Sequence, residues 1–133
     1  MTTSGCAMSK TNQSNRIDYI EFPAKDIDAL KRTKKFFSQV FGWSYQDWGE
    51  NYSDTQDSGL GSGLNADPEH RPRQPLAVIY TTELEAARAN VIAAGGTITR
   101  DIFSFPGGRR FHFTDPSGNE LAVWSDKDGK GAF

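Results

Sequence analysis

The sequence predicts an α+β fold built from two copies of a strand–helix–strands module. Three observations carry this. An alternating, β-branched and aromatic segment followed by an amphipathic segment occurs once from residue 16 and again from residue 75. Each amphipathic segment ends on glycine, and each is followed by short strand-like runs separated by turn residues.

In the first module, residues 16–22 alternate: Ile17, Tyr19 and Glu21 take one face and Asp18, Ile20 and Phe22 the other. Pro23 is expected to end this strand. Asp26 or Asp28 offers a helix N-terminus, and Ile27, Leu30, Phe36, Phe37, Val40 and Phe41 follow at near-helical spacing before Gly42. Residues 43–48, 51–56 and 60–64 read as three strands, with Gly49 and Ser58-Gly59 at the turns. Residues 65–74, carrying Pro68, Pro72, Arg71 and Arg73, read as a linker.

The second module repeats the order. Residues 75–81 form an apolar strand, and 83–94 form a helix with Leu84, Ala87, Val91 and Ala94 on one side, stopped by Gly95-Gly96. Strands follow at 97–103, 109–114 and 120–125. Pro106-Gly107-Gly108 and Asp115-Pro116-Ser117-Gly118-Asn119 form the turns between them, because proline presets φ and glycine or asparagine accepts positive φ. Residues 16–126 are thus one domain, with modules over about 16–64 and 75–126. Residues 1–15 and 127–133 are expected to be tails.

Composition narrows the function classes. The formal charge of −2 gives no overall attraction for nucleic acid. No apolar run reaches the roughly 20 residues that span a bilayer. Residues 1–16 lack the apolar centre of a signal peptide, and Met8 offers a second start. Cys6 is the single cysteine, which rules out an internal disulfide and a cysteine-rich zinc site; a cytoplasmic setting follows as the default.

Two stretches carry a family resemblance. Phe36-Phe37-Ser38-Gln39-Val40-Phe41-Gly42-Trp43, following Asp26, resembles the helix-end signature of the vicinal-oxygen-chelate superfamily of glyoxalases, bleomycin-resistance proteins and extradiol dioxygenases. Phe113-Thr114-Asp115-Pro116-Ser117-Gly118-Asn119 resembles its second signature, the turn before the last strand. Residues 105–111 and 121–124 look like a branch related to lactoylglutathione lyase. The resemblance implies two βαβββ modules whose mixed sheets curl into a cup, and often a homodimer. It also implies, in the metal-dependent members, a divalent ion held by His or Gln and Glu, acting as a Lewis acid on vicinal substrate oxygens.

The ligand positions implied by that resemblance fall here on Tyr19, Leu76 and Ala122, with a fourth near residues 60–64, where there is no acid or histidine. Leucine and alanine cannot ligate, and neutral tyrosine is a poor ligand for a divalent ion. The expectation is therefore no metal and no cofactor. If those positions face the cup, Glu21 and Glu120 face it too, able to bind a cation or to divide acid and base roles. Solvated rim positions are the competing reading for both glutamates. Glu21, Glu120 and Tyr19 are the candidate catalytic residues.

Further candidates are ligand-binding. His112 alternates against Phe111 and Phe113 and shares a face with Arg110 and Thr114, with no identifiable partner. Gly107-Gly108-Arg109-Arg110 could hold an anion, but an ordinary tight hairpin with charged flanks is the preferred reading. Trp48 and Trp124 suit the wall of an apolar site. His70 falls in the linker and is expected to be exposed. Residues 59–63 imitate a nucleotide loop without the following helix, and 54–65 imitate a calcium loop without the closing Glu. The basic run 31–35 reads as a solvated helix face.

Three readings follow, in order. The first is a metal-free small-molecule-binding protein. The second is a lyase or isomerase using Glu21 or Glu120 with Tyr19 and His112. The third is a structural or partner-binding module whose cup is filled by side chains.

Overall fold

The computed structural model describes residues 14–126. Cys6, Met8 and most of the two expected tails lie outside the described residues. The described chain is α+β, with strands β1 (Arg16–Pro23), β2 (Gln46–Asp47), β3 (Tyr52–Thr55), β4 (Gly61–Asn65), β5 (Leu76–Tyr80), β6 (Thr97–Phe105), β7 (Gly108–Thr114) and β8 (Glu120–Ser125), and helices α1 (Ile27–Phe41) and α2 (Leu84–Ala93). It forms two compact units, residues 19–76 and residues 14–18 with 77–126.

In the first unit the strands lie in the order β2-β3-β4-β1, with β1 and β4 parallel and the others antiparallel. α1 begins at Asp26, whose carboxylate accepts the Ala29 N–H at 2.7 Å. It ends at Gly42, which adopts φ 77° and donates its N–H to the Ser38 carbonyl. Leu30 packs with Ala24, Leu64 and Ala66, backed by Phe22 and Tyr45. Phe36 and Val40 lie about a quarter-turn or more around the helix from Leu30 and are exposed. The six apolar residues of α1 therefore form more than one stripe, and Leu30 alone among them is fully buried.

Some details of this unit differ from the sequence expectation. The strand expected over 43–48 shrinks to Gln46–Asp47, because side chains from α1 and a loop take its backbone groups: Asp57 accepts the Ser44 N–H at 2.8 Å and the Ser38 hydroxyl donates to the Trp43 carbonyl at 2.6 Å. Pro23 closes β1 from inside rather than preceding the break, lying opposite Asn65 in the parallel register. The stretch after β4 is strapped: the Asp67 carbonyl accepts the Arg71 N–H at 2.8 Å, and the Arg71 guanidinium donates to the Lys25 carbonyl at 2.7 Å.

The second unit has strand order β5-β8-β7-β6. Leu84 of α2 packs with Phe111 and Val123, and Ile79, Val91, Ile98, Ile102 and Phe113 complete this core. α2 stops one residue short of Ala94, which is exposed, and β6 runs two residues beyond 103. β6 is long because its pairing with β7 continues to the Phe105–Gly108 pair at the hairpin.

Candidate functional site

In each unit the helix covers one sheet face, and the polar candidates lie on the other. On the first unit, parallel pairing sets Tyr19 opposite Gly61 and Glu21 opposite Gly63, and antiparallel pairing sets Tyr52 opposite Asn65 and Asp54 opposite Gly63. Paired residues share a face, so Tyr19, Glu21, Tyr52, Asp54 and Asn65 project together. The glycines of β4 leave the room. A Cβ at Gly63 would collide with the hydroxyls of both Tyr19 and Tyr52, and one at Gly61 would press on the Tyr19 ring.

The result is a buried hydrogen-bonded cluster. Glu21 is 1% exposed. One of its carboxylate oxygens accepts the Tyr52 hydroxyl at 3.1 Å, and the other accepts the Asn65 amide at 3.2 Å. Tyr52 lies 2.6 Å from the Tyr19 hydroxyl. A phenol has one proton, and that of Tyr52 goes to Glu21, so Tyr19 is the donor to Tyr52. Proton donation runs from Tyr19 through Tyr52 to Glu21. The solvated-rim reading therefore fails for Glu21. Beside this cluster, burial pushes the Asp54 carboxyl up, partly offset by a hydrogen bond from the exposed Trp48 indole.

On the second unit, β7 and β8 pair Arg110 with Trp124 and His112 with Ala122, and β5 pairs Val78 with Ala122 and Tyr80 with Trp124. His112 is 6% exposed, and its partners include Arg110 and Glu120, which the sequence alone does not identify. Arg110 Nε lies 3.2 Å from His112 Nε2, and Glu120 lies 3.3 Å from His112 Nδ1. Arginine only donates, so Nε2 accepts and Nδ1 carries the proton given to Glu120. Glu120 itself is largely exposed and also accepts the Thr99 hydroxyl at 3.3 Å. Burial pushes the Asp18 carboxyl up, only partly offset by the Trp124 indole N–H that it accepts at 3.0 Å. His70 is partly exposed and paired with Asp67 at 2.9 Å.

The donor set tests the metal expectation directly. Tyr19 is committed to Tyr52, Leu76 and Ala122 are buried and carry no donor, and the β4 positions facing β1 are Gly61 and Gly63. Among the described residues no three His, Cys, Asp or Glu side chains group as metal ligands. The residues present do not fit the divalent ion of the metal-dependent relatives, and no step below is routed through one.

Sequence reasoning counted Tyr52 only among the aromatic side chains suited to a ligand-site wall, and did not bring Asp54 or Asn65 to the site. The available signal was alternation: Tyr52 and Asp54 are two apart on one strand, and Gly61, Gly63 and Asn65 alternate on the next.

Comparisons with known proteins agree with this architecture. A structure from Vibrio splendidus described as a glyoxalase/bleomycin resistance protein/dioxygenase superfamily member aligns with a TM-score of 0.64 at 17% identity, covering 84% of this chain and 99% of that one. Methylmalonyl-CoA epimerase from Mycobacterium tuberculosis aligns with a TM-score of 0.60 at 12% identity, covering 86% and 90%. The Mn(II)-bound glyoxalase from Novosphingobium aromaticivorans gives 0.60 at 24% identity, covering 87% of this chain and 40% of that longer one. At these identities the likeness is one of fold. No curated protein matches the sequence. Residues 16–123 match the profile of the Glyoxalase/Bleomycin resistance protein/Dioxygenase superfamily, and the chain belongs to that superfamily.

Proposed function

We propose that this chain is a small-molecule-binding protein that engages its ligand on the polar face of the first module, through Tyr19 backed by Tyr52 and the buried Glu21, without the metal of its metal-dependent relatives. The observation that carries this reading is the buried Glu21 carboxylate, held by Tyr52 and Asn65 and linked through Tyr52 to the half-buried Tyr19. Tyr19 spends its proton on Tyr52, so toward a ligand its oxygen is an acceptor. The site therefore suits a hydrogen-bond donor or an ammonium group. Glu120 serves the second module as a positioning residue for His112.

Two measurements test the reading. Titration with benzylammonium, followed by amide NMR, is expected to shift residues 19–23, 52–55 and 61–65 in the wild type and not in Glu21→Gln. Equal shifts in both proteins, or none in either, would remove Glu21 from the ligand site. Elemental analysis of protein purified without added metal is expected to find no stoichiometric divalent ion, and a stoichiometric one would overturn the metal-free part.

The same relay favours a second reading, a lyase or isomerase in which Glu21 takes a proton from substrate through Tyr52 and Tyr19. Its signature is deuterium wash-in from D2O into a carbon acid, present in the wild type and lost in both Glu21→Gln and Tyr52→Phe. The chain is further proposed to pair as a homodimer. Phe36, Val40 and Phe41 leave an apolar surface on α1 that a second copy would cover. Equilibrium sedimentation at twice the chain mass supports pairing, and a monomer at micromolar concentration excludes it.

A further inference from the structure

The polar face of the first module carries a second carboxylate, Asp54, beside the Glu21 cluster. Asp54 of β3 and Glu21 of β1 both lie opposite Gly63 of β4, one on each side of it. Their backbones are therefore two strand spacings apart, about 10 Å. Gly63 puts no side chain between them. The Tyr19 and Tyr52 hydroxyls, which a Cβ there would strike, lie over Gly63 instead.

The two acids are satisfied unequally. Glu21 has the Tyr52 hydroxyl on one oxygen and the Asn65 amide on the other. Asp54 accepts the Trp48 indole N–H, and among the described residues no basic side chain pairs with it. A carboxylate has room for about four donors, so most of its capacity is unused. The sequence explains the shortage of cations. The strand residues of this module, 19–23, 46–47, 52–55 and 61–65, include no Lys, Arg or His. Lys34 of α1 reaches the sheet on the other face, where it pairs with Asp47. Successive strand residues alternate, so Asp47 points away from Gln46, the residue opposite Asp54. Burial pushes the Asp54 carboxyl up, as it does for a charge that the fold leaves without a counter-charge. Asp54 is nevertheless partly exposed, so a ligand can reach it.

Trp48 supplies the second feature. Its backbone N–H donates to the Tyr52 carbonyl at 2.8 Å and its indole N–H to Asp54, which together hold the ring beside the acid. The residue is still 57% exposed. An indole N–H lies in the plane of its ring, so this bond engages the ring edge and leaves the faces free for stacking.

We propose, resting on the reading of this face as a ligand site, that it is a subsite for an arylalkylammonium: Asp54 supplies the counter-charge on the side toward Tyr19, and the ligand ring lies on Trp48. The carboxylate selects the cation, and the indole selects its aromatic body.

Calorimetric titration of the full chain with three probes tests this. Benzylammonium carries both features, benzyl alcohol lacks the charge and methylammonium lacks the ring. Benzylammonium is expected to bind with one-to-one saturation, about tenfold or more tighter than either of the others, and more weakly as salt rises. Asp54→Asn keeps an oxygen for the Trp48 indole and removes only the charge. It is expected to weaken benzylammonium about tenfold and to leave benzyl alcohol unchanged. Trp48→Ala is expected to weaken benzylammonium about fivefold and to leave methylammonium unchanged. No saturable binding of benzylammonium, equal binding of benzyl alcohol, or an Asp54→Asn variant that binds as the wild type does would each overturn the subsite. Methylammonium binding as tightly as benzylammonium, or a Trp48→Ala variant that binds as the wild type does, would overturn its aryl specificity. The probe comparison needs no variant, so it decides the matter even if a variant fails to fold. The two proposals on this face fail separately. Binding lost in Asp54→Asn but kept in Glu21→Gln removes Glu21 and retains this subsite, and the reverse pattern retains Glu21 and removes Asp54.

Discussion

The Tyr52 hydroxyl stands between two groups, 3.1 Å from the Glu21 carboxylate and 2.6 Å from the Tyr19 hydroxyl. It thus links the partly buried Tyr19 to the buried Glu21 carboxylate.

Tyr52→Phe should therefore be costly beyond its size. It leaves the ring in place and removes one hydrogen bond to a carboxylate, worth about 1.5–3 kcal/mol. Urea unfolding is expected to show a loss in that range with an unchanged denaturant slope. A variant as stable as the wild type would mean that the Tyr52–Glu21 bond contributes nothing to the folded state.

Gly63→Ala tests the space rather than the bond. The added methyl would meet the hydroxyls of Tyr19 and Tyr52, so both rings must swing away from each other and from Glu21. Overpacking of this kind costs about 1–3 kcal/mol. Thermal unfolding should fall accordingly, whereas Gly61→Ala, whose nearest neighbour is the Tyr19 ring edge at 3.2 Å, should cost less. Equal effects at the two glycines would contradict the packing described.

Most of the fold was legible because it rests on local chemistry. Asp26 and Gly42 bound α1 as capping predicts, and the Asp115–Asn119 turn closes on the Asp115 carboxylate at 2.9 Å. The site was legible only in part. Alternation placed Tyr19 beside Glu21 and Arg110 beside His112, since both pairs lie on single strands. Tyr52 and Asn65 meet Glu21 through sheet register, which is set by pairing between strands and has no signature within either one.

The hydrogen bonds of His112 predict its tautomer. Arg110 donates to Nε2, so the neutral ring must carry its proton on Nδ1, directed at Glu120. Long-range proton–nitrogen NMR should show a protonated Nδ1 and a bare Nε2 near neutral pH. The opposite tautomer would rule out the Arg110 bond. Glu120→Gln should preserve the Nδ1–H form, because the amide oxygen can still accept.

Tyr80 predicts behaviour at high pH. Its hydroxyl donates to Asp126 at 2.7 Å from a residue only 4% exposed. Burial first, then the Asp126 hydrogen bond and the charges of Asp126 and Asp18, push the phenol up to about 12 from an ordinary 10.0. The folded state thus holds its proton over a window in which the unfolded chain has lost it. There the unfolded state binds fewer protons, so stability falls as pH rises. The contribution is fully present below pH 10 and is lost on the way to about 12. Unfolding free energy measured from pH 9 to 12 should decline, and Tyr80→Phe should flatten that decline because phenylalanine has no proton to lose. If the variant and the wild type decline in parallel, the Tyr80 hydroxyl does not govern the alkaline limit.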